Sequence, residues 1–341
     1  MSKEFSAVLD QLLDGDSLSE LQANELMHKL AAGDIPAALA GALLAGLRAK
    51  GETADEIRGF AMAMRELAVH PKIPAGAPTV DTVGTGGDGS GSLNLSTGAG
   101  LLAAAAGARV VKHGNRSISS QSGSADMLEC LGMPLPLHEK EAVACLDATN
   151  FTFLFAPAYH PAMKAVMPVR NALAVRTVFN MLGPLANPAE PPFQMIGAWS
   201  LDAAKLIAET LAGMPIERAF VVHGAPGWDE ATPVGEFALF EVVPGKVSET
   251  TRTPEDYGLP RCTPEDLTGG DATHNAKELI RVFSGEDKGA HRDALLLGTS
   301  LVLEVQGSVS GPKQGVEKSA AALDSGAADK FLERLRQHFQ G

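Results

Sequence analysis

The residues best suited to chemistry lie between Asp81 and Thr97, where the chain reads DTVGTGGDGSGSLNLST. Gly84, Gly86, Gly87, Gly89 and Gly91 carry no side chain, so the backbone there can turn through φ > 0 and converge several N–H groups at close range. A helix predicted to start at Leu95 adds free N–H donors and a partly positive end. Ser92, Asn94, Ser96 and Thr97 add neutral polar groups, and the whole suits a phosphate or pyrophosphate. Gly84, Gly86 and Gly89 also match G-x-G-x-x-G. A dinucleotide site would further need an acid about 20 residues on, to hold the ribose hydroxyl. Residues 104–112 contain no acid, and no lysine follows the glycines as a Walker P-loop requires.

A second segment, KHGNRSISSQSGS over residues 112–124, starts where a predicted strand at Arg109–Val111 ends. In open α/β sheets ligands gather at the carboxyl ends of strands. Two cations, an asparagine and a run of hydroxyls there suit a phosphorylated sugar. One β-α-β step separates this segment from the glycine loop, which makes it the other wall of one site. Farther on, Arg170 offers the planar fork that grips a carboxylate with two hydrogen bonds. Asp229 and Glu230 follow a predicted strand ending Val222-His223-Gly224, and adjacent carboxylates suit a hard cation such as Mg²⁺.

Those residues need a frame. Residues 1 to about 70 read as successive helices. Ser19 with Gln22 and Thr53 with Glu56 form capping boxes, predicting helices to about Ala32 and Ala68, with Ala37–Lys50 between them after Pro36. Pro71, Pro74 and Pro78 mark a linker. Beyond it the pattern alternates: strand Val80–Val83, helix Leu95–Gly107, strand Arg109–Val111, then strands at Phe151–Phe155, Gln194–Trp199 and Ala219–Val222, the last preceded by a helix at Leu201–Met214. Alternating strands and helices predict a mostly parallel sheet with helices packed on it. The tail, Lys313–Gln340, predicts closing helices broken at Ser325-Gly326.

Composition narrows the function classes. The chain has 341 residues and a net charge of −13, from 28 basic and 41 acidic side chains. Binding along a phosphate backbone normally needs a basic surface, so nucleic acid is not an expected partner. The most apolar stretch, residues 99–108, falls short of the roughly 20 residues of a membrane helix, and no signal peptide is read at the start. Cys130, Cys145 and Cys262 cannot all pair, and none sits at a C-x-x-C spacing. The expected setting is cytoplasmic, with no membrane partner.

GTGGDGSGSLNLST and KHGNRSISSQSGSAD together resemble the anthranilate phosphoribosyltransferases of tryptophan biosynthesis. Phe155-Ala-Pro157, Tyr159-His160-Pro161, Met167-Pro-Val-Arg170, Arg176-Thr-Val-Phe-Asn180, Leu182-Gly-Pro-Leu185 and Asn187-Pro188 extend the resemblance in order, through Asp229-Glu230. It implies transfer of the ribose phosphate of phosphoribosyl pyrophosphate (PRPP) to the amine of anthranilate, releasing pyrophosphate, with Mg²⁺ as cofactor. By resemblance Gly84, Gly87, Asp88, Ser92, Asn94, Leu95, Ser96 and Thr97 hold the pyrophosphate end. Lys112, His113, Gly114, Asn115, Arg116, Ser117, Ile118, Ser119, Ser120 and Ser124 hold the rest of PRPP. Ser96, Asp229 and Glu230 are the metal positions. Gly84, Asn115 and Arg170 contact anthranilate, and His113, His160 and Pro184 line its path.

No nucleophile or base is assigned, because a neutral aromatic amine is already nucleophilic. Arg176, six residues from Arg170, is given a structural role. The resemblance also implies a small helical domain (residues 1–72 plus a returning segment at about 165–187), an α/β domain (73–164 and 188–341), an active site in the cleft between them, and a homodimer packed through the helical domains. A pyrimidine nucleoside phosphorylase shares this fold, but its glycine loop reads Lys-His-Ser-Thr-Gly-Gly where this chain has Val83-Gly-Thr-Gly-Gly-Asp88. A non-catalytic nucleic-acid-binding relative would show an eroded loop and a basic groove. Gly298-Thr299-Ser300, His274 and the 233–237 stretch depart from the family pattern, outside the main motifs.

Overall fold

The structure, a computed structural model, describes residues 2–73, 78–117 and 121–340. Pro74 of the linker and the candidate site residues Ile118, Ser119 and Ser120 lie outside the described residues.

The chain opens with α1 (Ser2–Leu13), α2 (Glu20–Ala32), α3 (Ala37–Lys50) and α4 (Ala54–Glu66). Both capping boxes form: Gln22 N–H donates to Ser19 Oγ at 3.2 Å while Ser19 N–H donates to Gln22 Oε1 at 2.9 Å, and Thr53 and Glu56 exchange the equivalent bonds. Each satisfies two of the donors that a helix start leaves open. Gly33 closes α2 in the left-handed region at φ 73°, and Pro36 flanks α3 as its cap residue rather than entering the first turn.

The α/β part continues with β1 (Thr79–Gly84), α5 (Leu95–Ala105), β2 (Arg109–Gly114), α6 (Ser124–Cys130), α7 (Glu139–Thr149), β3 (Phe151–Phe155) and α8 (Ala156–Tyr159). Then follow α9 (Met163–Leu173), α10 (Phe179–Leu185), β4 (Phe193–Gly197), α11 (Leu201–Ala212), β5 (Arg218–Gly224), β6 (Phe237–Val243) and β7 (Lys246–Arg252). The chain closes with α12 (Ala272–Phe283), α13 (Ala290–Val305), α14 (Pro312–Asp324) and α15 (Ala327–His338). The seven strands run in the order β3-β2-β1-β4-β5-β6-β7. The first five are parallel, and β6 and β7 add an antiparallel hairpin at the edge.

Two differences from the sequence reading have clear causes. Strand β2 runs on to Gly114, because Lys112, His113 and Gly114 keep ladder register with Phe153, Leu154 and Phe155 of β3. The KHG residues are thus inside the strand, not in a loop beyond it. The β6–β7 hairpin has no counterpart in the sequence reading, since FALFEVV is apolar at all but one position and KVSETTR polar at all but one, so neither strand shows the period-2 alternation that marks a half-buried strand.

Helix α9 packs on α2 and α3, and α10 packs on α4. Alternate strand residues feed two cores. Met195, Phe220, Val222 and Leu239 face α5 and α13, whereas Ile196, Val221 and Phe240 face α11 and the helical bundle. Strand order reverses between β1 and β4, so a crevice opens at their carboxyl ends, where open α/β sheets bind ligands. No helix among the described residues is long and apolar enough to cross a membrane.

Candidate active site

Gly84, Gly197 and Gly224 end β1, β4 and β5, and the Asp229-Glu230 segment lies directly against all three. A Cβ at Gly84 would stand 2.5 Å from Asp229 Oδ2, at Gly197 1.6 Å from the Asp229 carbonyl oxygen, and at Gly224 2.1 Å from that of Glu230. Absence of side chains at three strand ends therefore lets the acid pair cross the mouth of the sheet.

The acids in turn hold the glycine loop. Gly86 N–H donates to Asp229 Oδ2 at 2.5 Å, and Ser96 N–H, in the first turn of α5, donates to Glu230 Oε1 at 3.0 Å. Asp88 Oδ2 accepts from Asp229 N–H at 3.2 Å, and its Oδ1 accepts from Ser90 N–H at 3.1 Å. At its far end the loop is pinned where Gly269 N–H donates to the Gly91 carbonyl at 2.9 Å and Ser92 bridges Thr268. Burial, then the nearby Asp88 charge, pushes the Asp229 carboxyl above its ordinary range; burial, then Asp229, does the same to Glu230. Lys112 is the cation closest to balancing them. It is buried among Asp81, Asp229 and Glu230, with its ammonium donating to the Thr82 carbonyl, and desolvation lowers its pKa. Three crowded carboxylates with one ammonium, beside a serine hydroxyl, form an oxygen-rich, anionic donor set that fits Mg²⁺.

Beneath the loop is a buried support absent from the sequence assignments. Asp81 accepts from His113 N–H at 3.2 Å and from Asn187 Nδ2 at 2.8 Å, and Asn187 also donates to the Val111 carbonyl at 2.9 Å. Burial raises Asp81 to about 6, against the opposing pull of Lys112. Asn94 joins the two walls: its Oδ1 accepts from Ser122 Oγ at 2.9 Å and from Asn275 Nδ2 at 2.8 Å, while its Nδ2 donates to the Ser122 carbonyl at 3.1 Å. Thr97 Oγ1 donates to Ser124 Oγ at 2.9 Å. Asn275 lies in α12, far along the chain from its partner, and only the fold reveals the pairing. Leu95 is buried, so it offers the site backbone rather than side chain.

The second wall is less uniform. Arg116 is held by carboxylates of α6, donating to Asp126 Oδ1 at 2.8 Å and to both Glu129 oxygens at 2.6 Å, with Phe155 5.6 Å beneath. Its charge is answered within the protein. Ser117 N–H donates to Asp126 Oδ2 at 3.2 Å, and Asn115 Oδ1 accepts from Arg116 N–H at 2.7 Å.

A third group faces the helical side. His113 and His160 meet edge to face at 5.1 Å, and His113 Nδ1 bonds the Gly183 carbonyl at 3.2 Å, beside Pro184. Burial lowers His113 to about 3 and His160 to about 4, so both rings are neutral, and each leaves a buried Nε2 without a partner among the described residues. Arg170 lies 5.0 Å over the Phe179 ring and has no carboxylate partner among the described residues; burial alone lowers its pKa. A half-buried guanidinium over the Phe179 ring, with no carboxylate partner among the described residues, suits a small aromatic carboxylate.

Arg176 reaches farther than its sequence role allowed. Its Nη2 donates to the Gly87 carbonyl at 2.6 Å, and its guanidinium lies 4.7 Å over Trp199. Trp199 N–H donates to Thr85 Oγ1 at 3.1 Å. Nothing in the spacing of Arg170 and Arg176 signals this, because the contact joins the α9–α10 turn to the glycine loop, 89 residues earlier in the chain.

Two family models match the chain: the glycosyl transferase family a/b domain over residues 76–329 and the helical bundle domain of the same family over 6–68. The anthranilate phosphoribosyltransferase of Rubrobacter xylanophilus is 44% identical over 94% of this chain and 93% of its own length. That of Brevibacillus brevis is 45% identical over 98% and 97%. The crystal structure of the Thermus thermophilus anthranilate phosphoribosyltransferase has a TM-score of 0.92 at 41% identity, covering 98% of this chain and 99% of that one. The Saccharomyces cerevisiae enzyme in complex with PRPP and Mg has a TM-score of 0.90 at 25% identity, covering 99% and 98%.

Proposed function

The chain belongs to the glycosyl transferase family, among the anthranilate phosphoribosyltransferases, and from that premise we propose which of its residues perform the transfer and how. The reaction moves the 5-phosphoribosyl group of PRPP to the anthranilate amine, giving N-(5-phosphoribosyl)anthranilate and pyrophosphate. One observation carries the assignment. The Asp229-Glu230 pair lies across the ends of β1, β4 and β5 and grips the glycine loop through Gly86 N–H and the start of α5 through Ser96 N–H.

The glycine loop, with Asn94 to Thr97, binds the diphosphate end of PRPP; Lys112 to Arg116, Ser117 and Ser124 bind its ribose phosphate side. Asp88, Ser96, Asp229 and Glu230 would hold Mg²⁺, which offsets negative charge on the diphosphate. Backbone N–H groups of the loop face that charge where it grows as the ribose C1–oxygen bond loosens. Arg170 holds the anthranilate carboxylate in a two-bond fork, and Asn115 and Gly84 border the ring and amine. The amine attacks C1 from the side opposite the diphosphate, the N–C1 bond forming as the C1–oxygen bond breaks and the nitrogen giving its surplus proton to solvent or to the departing diphosphate, and orientation supplies much of the rate. His113 and His160 line the path of the amine with uncharged ring surface.

Two further readings accompany this one. The working unit is a homodimer joined through the helical domains. A groove of about 550 Å³ between α3 and α9, lined by Gly41, Ala42, Ala45, Val169 and Leu173, is the apolar surface a second copy would cover. Leu13, Leu21 and Val175 of the same domain are more than half exposed. The protein works in the cytoplasm, consistent with three free thiols at Cys130, Cys145 and Cys262.

The direct test mixes protein, PRPP, Mg²⁺ and anthranilate and follows loss of anthranilate fluorescence, with other aromatic amines and a nucleoside-plus-phosphate pair as controls. Turnover confined to anthranilate supports the reading. Turnover of the nucleoside instead would replace it with a phosphorylase.

A further inference from the structure

Arg176 lies in the turn between α9 and α10, on the helical side of the cleft. Its guanidinium crosses to the opposite wall and donates to the Gly87 carbonyl at 2.6 Å. The crossing is braced at both ends. Arg48 of α3 donates to the Arg176 main-chain carbonyl, and Trp199, just after β4, supports the guanidinium face at 4.7 Å. Trp199 N–H in turn donates to Thr85 Oγ1 at 3.1 Å, and Thr85 N–H to the Gly197 carbonyl at 2.9 Å. Gly87 itself sits at φ 74°, where a Cβ would both strain the backbone and stand 3.3 Å from Arg176 Nη2.

The consequence follows from peptide geometry. In a planar trans peptide the carbonyl of one residue and the N–H of the next point in opposite directions. Drawing the Gly87 carbonyl toward Arg176 therefore turns the Asp88 N–H away from it. No acceptor among the described residues faces that N–H. The loop is thus gripped from two sides: Asp229 holds Gly86 N–H, and Arg176 holds Gly87 O, one peptide later.

We propose that Arg176 is a positioning residue, a clasp from the helical domain that fixes the orientation of the Gly87–Asp88 peptide and so presents the Asp88 N–H to the diphosphate of the donor. The clasp rests on the reading of this cleft as the PRPP site. It also couples the two domains, because the loop is fully oriented only when the α9–α10 turn stands at its observed distance. A lysine in its place would keep one donor but lose the planar contact with Trp199.

The test compares wild type with Arg176→Ala and Arg176→Lys. PRPP binding with Mg²⁺ is measured calorimetrically without anthranilate, and KM is measured for each substrate. Arg176→Ala should raise Kd and KM for PRPP about tenfold, the loss of one charged hydrogen bond, and shift KM for anthranilate less than about twofold on the same scale. Arg176→Lys should recover part of the loss, and added methylguanidinium should restore part of the PRPP affinity of Arg176→Ala. An Arg176→Ala variant that binds PRPP as wild type does overturns the clasp alone. So does one in which both KM values rise and the melting temperature falls together without guanidinium rescue. A wild-type protein that binds no PRPP overturns the site assignment and the clasp with it.

Discussion

Arg170 carries the sharpest single-residue expectation. It is half-buried, it stacks on Phe179, and no carboxylate among the described residues answers its charge. Such an arrangement costs stability in the free protein and is compensated when an anion arrives. Arg170→Ala should raise KM for anthranilate about 10- to 100-fold, the range of a lost charged hydrogen-bond pair. KM for PRPP should change little, since the glycine loop proposed for the diphosphate makes no contact with Arg170 among the described residues. Steady-state kinetics with each substrate varied in turn checks this, and equal losses for both substrates would place Arg170 elsewhere. Arg116 makes a contrast: with Asp126 and Glu129 already on its guanidinium, it has less charge to offer PRPP than its sequence position suggests.

Glu56 shows how one element anchors its neighbours. It closes the capping box of α4, yet it is also fully buried and accepts from Leu18 N–H at 2.8 Å and from the Lys50 ammonium at 2.9 Å. A cap residue thereby ties α4 to the α1–α2 connection and to the end of α3. Glu56→Ala would leave the Lys50 ammonium, whose side chain is 5% exposed, with no carboxylate and only Ser17 Oγ at 3.2 Å and the Gly51 carbonyl at 2.7 Å to hold it. The expected loss is about 3–5 kcal/mol, well beyond the ~1 kcal/mol of a lost cap. Urea denaturation measures it, and a loss near ~1 kcal/mol would mean Lys50 swings out to water at little cost. The bundle bears on the proposed acceptor path because α4 seats α10, which carries Gly183 and Pro184 to the face of His113.

At the scale of the whole molecule, pH and assembly provide two tests. Asp229 and Glu230 bind a proton more tightly folded than unfolded, so their contribution to metal-free stability falls as pH rises through their raised range. Asp81, raised to about 6, acts in the same sense. His113 and His160, lowered to about 3 and 4, act oppositely, and their effect is complete once pH passes the unfolded value of about 6.5. Above about pH 6.5 the two carboxyls are opposed by one group, Lys112, whose lowered pKa adds stability as pH rises, and the pair outweighs it. The melting temperature of metal-free protein should therefore fall toward about pH 8.5, while the gain from added Mg²⁺ grows over the same interval. Asp229→Asn with Glu230→Gln should abolish both trends; a gain from Mg²⁺ that survives the double change would move the metal elsewhere. For assembly, Ala45→Glu introduces a charge into the α3–α9 groove and should convert a dimer to monomers in light scattering. A variant still dimeric would shift the interface to another face.

Much of this protein was already written in local sequence. The capping boxes at Ser19 and Thr53, the glycine loop before Leu95 and the β-α-β alternation depend on neighbours a few residues apart, so residue type and spacing are enough to read them. The motifs quoted for the family resemblance are likewise contiguous strings. Tertiary structure alone decided the rest. Asn275 reaches Asn94, Asp81 and Asn187 brace β2, and Arg176 of the α9–α10 turn holds Gly87. Whether Gly84, Gly197 and Gly224 serve flexibility or make room also waited on the fold, which lays Asp229 and Glu230 across all three strand ends. Sheet order causes the difference: strands far apart in the chain become neighbours at one edge of a crevice, and no local pattern encodes which distant side chains meet there.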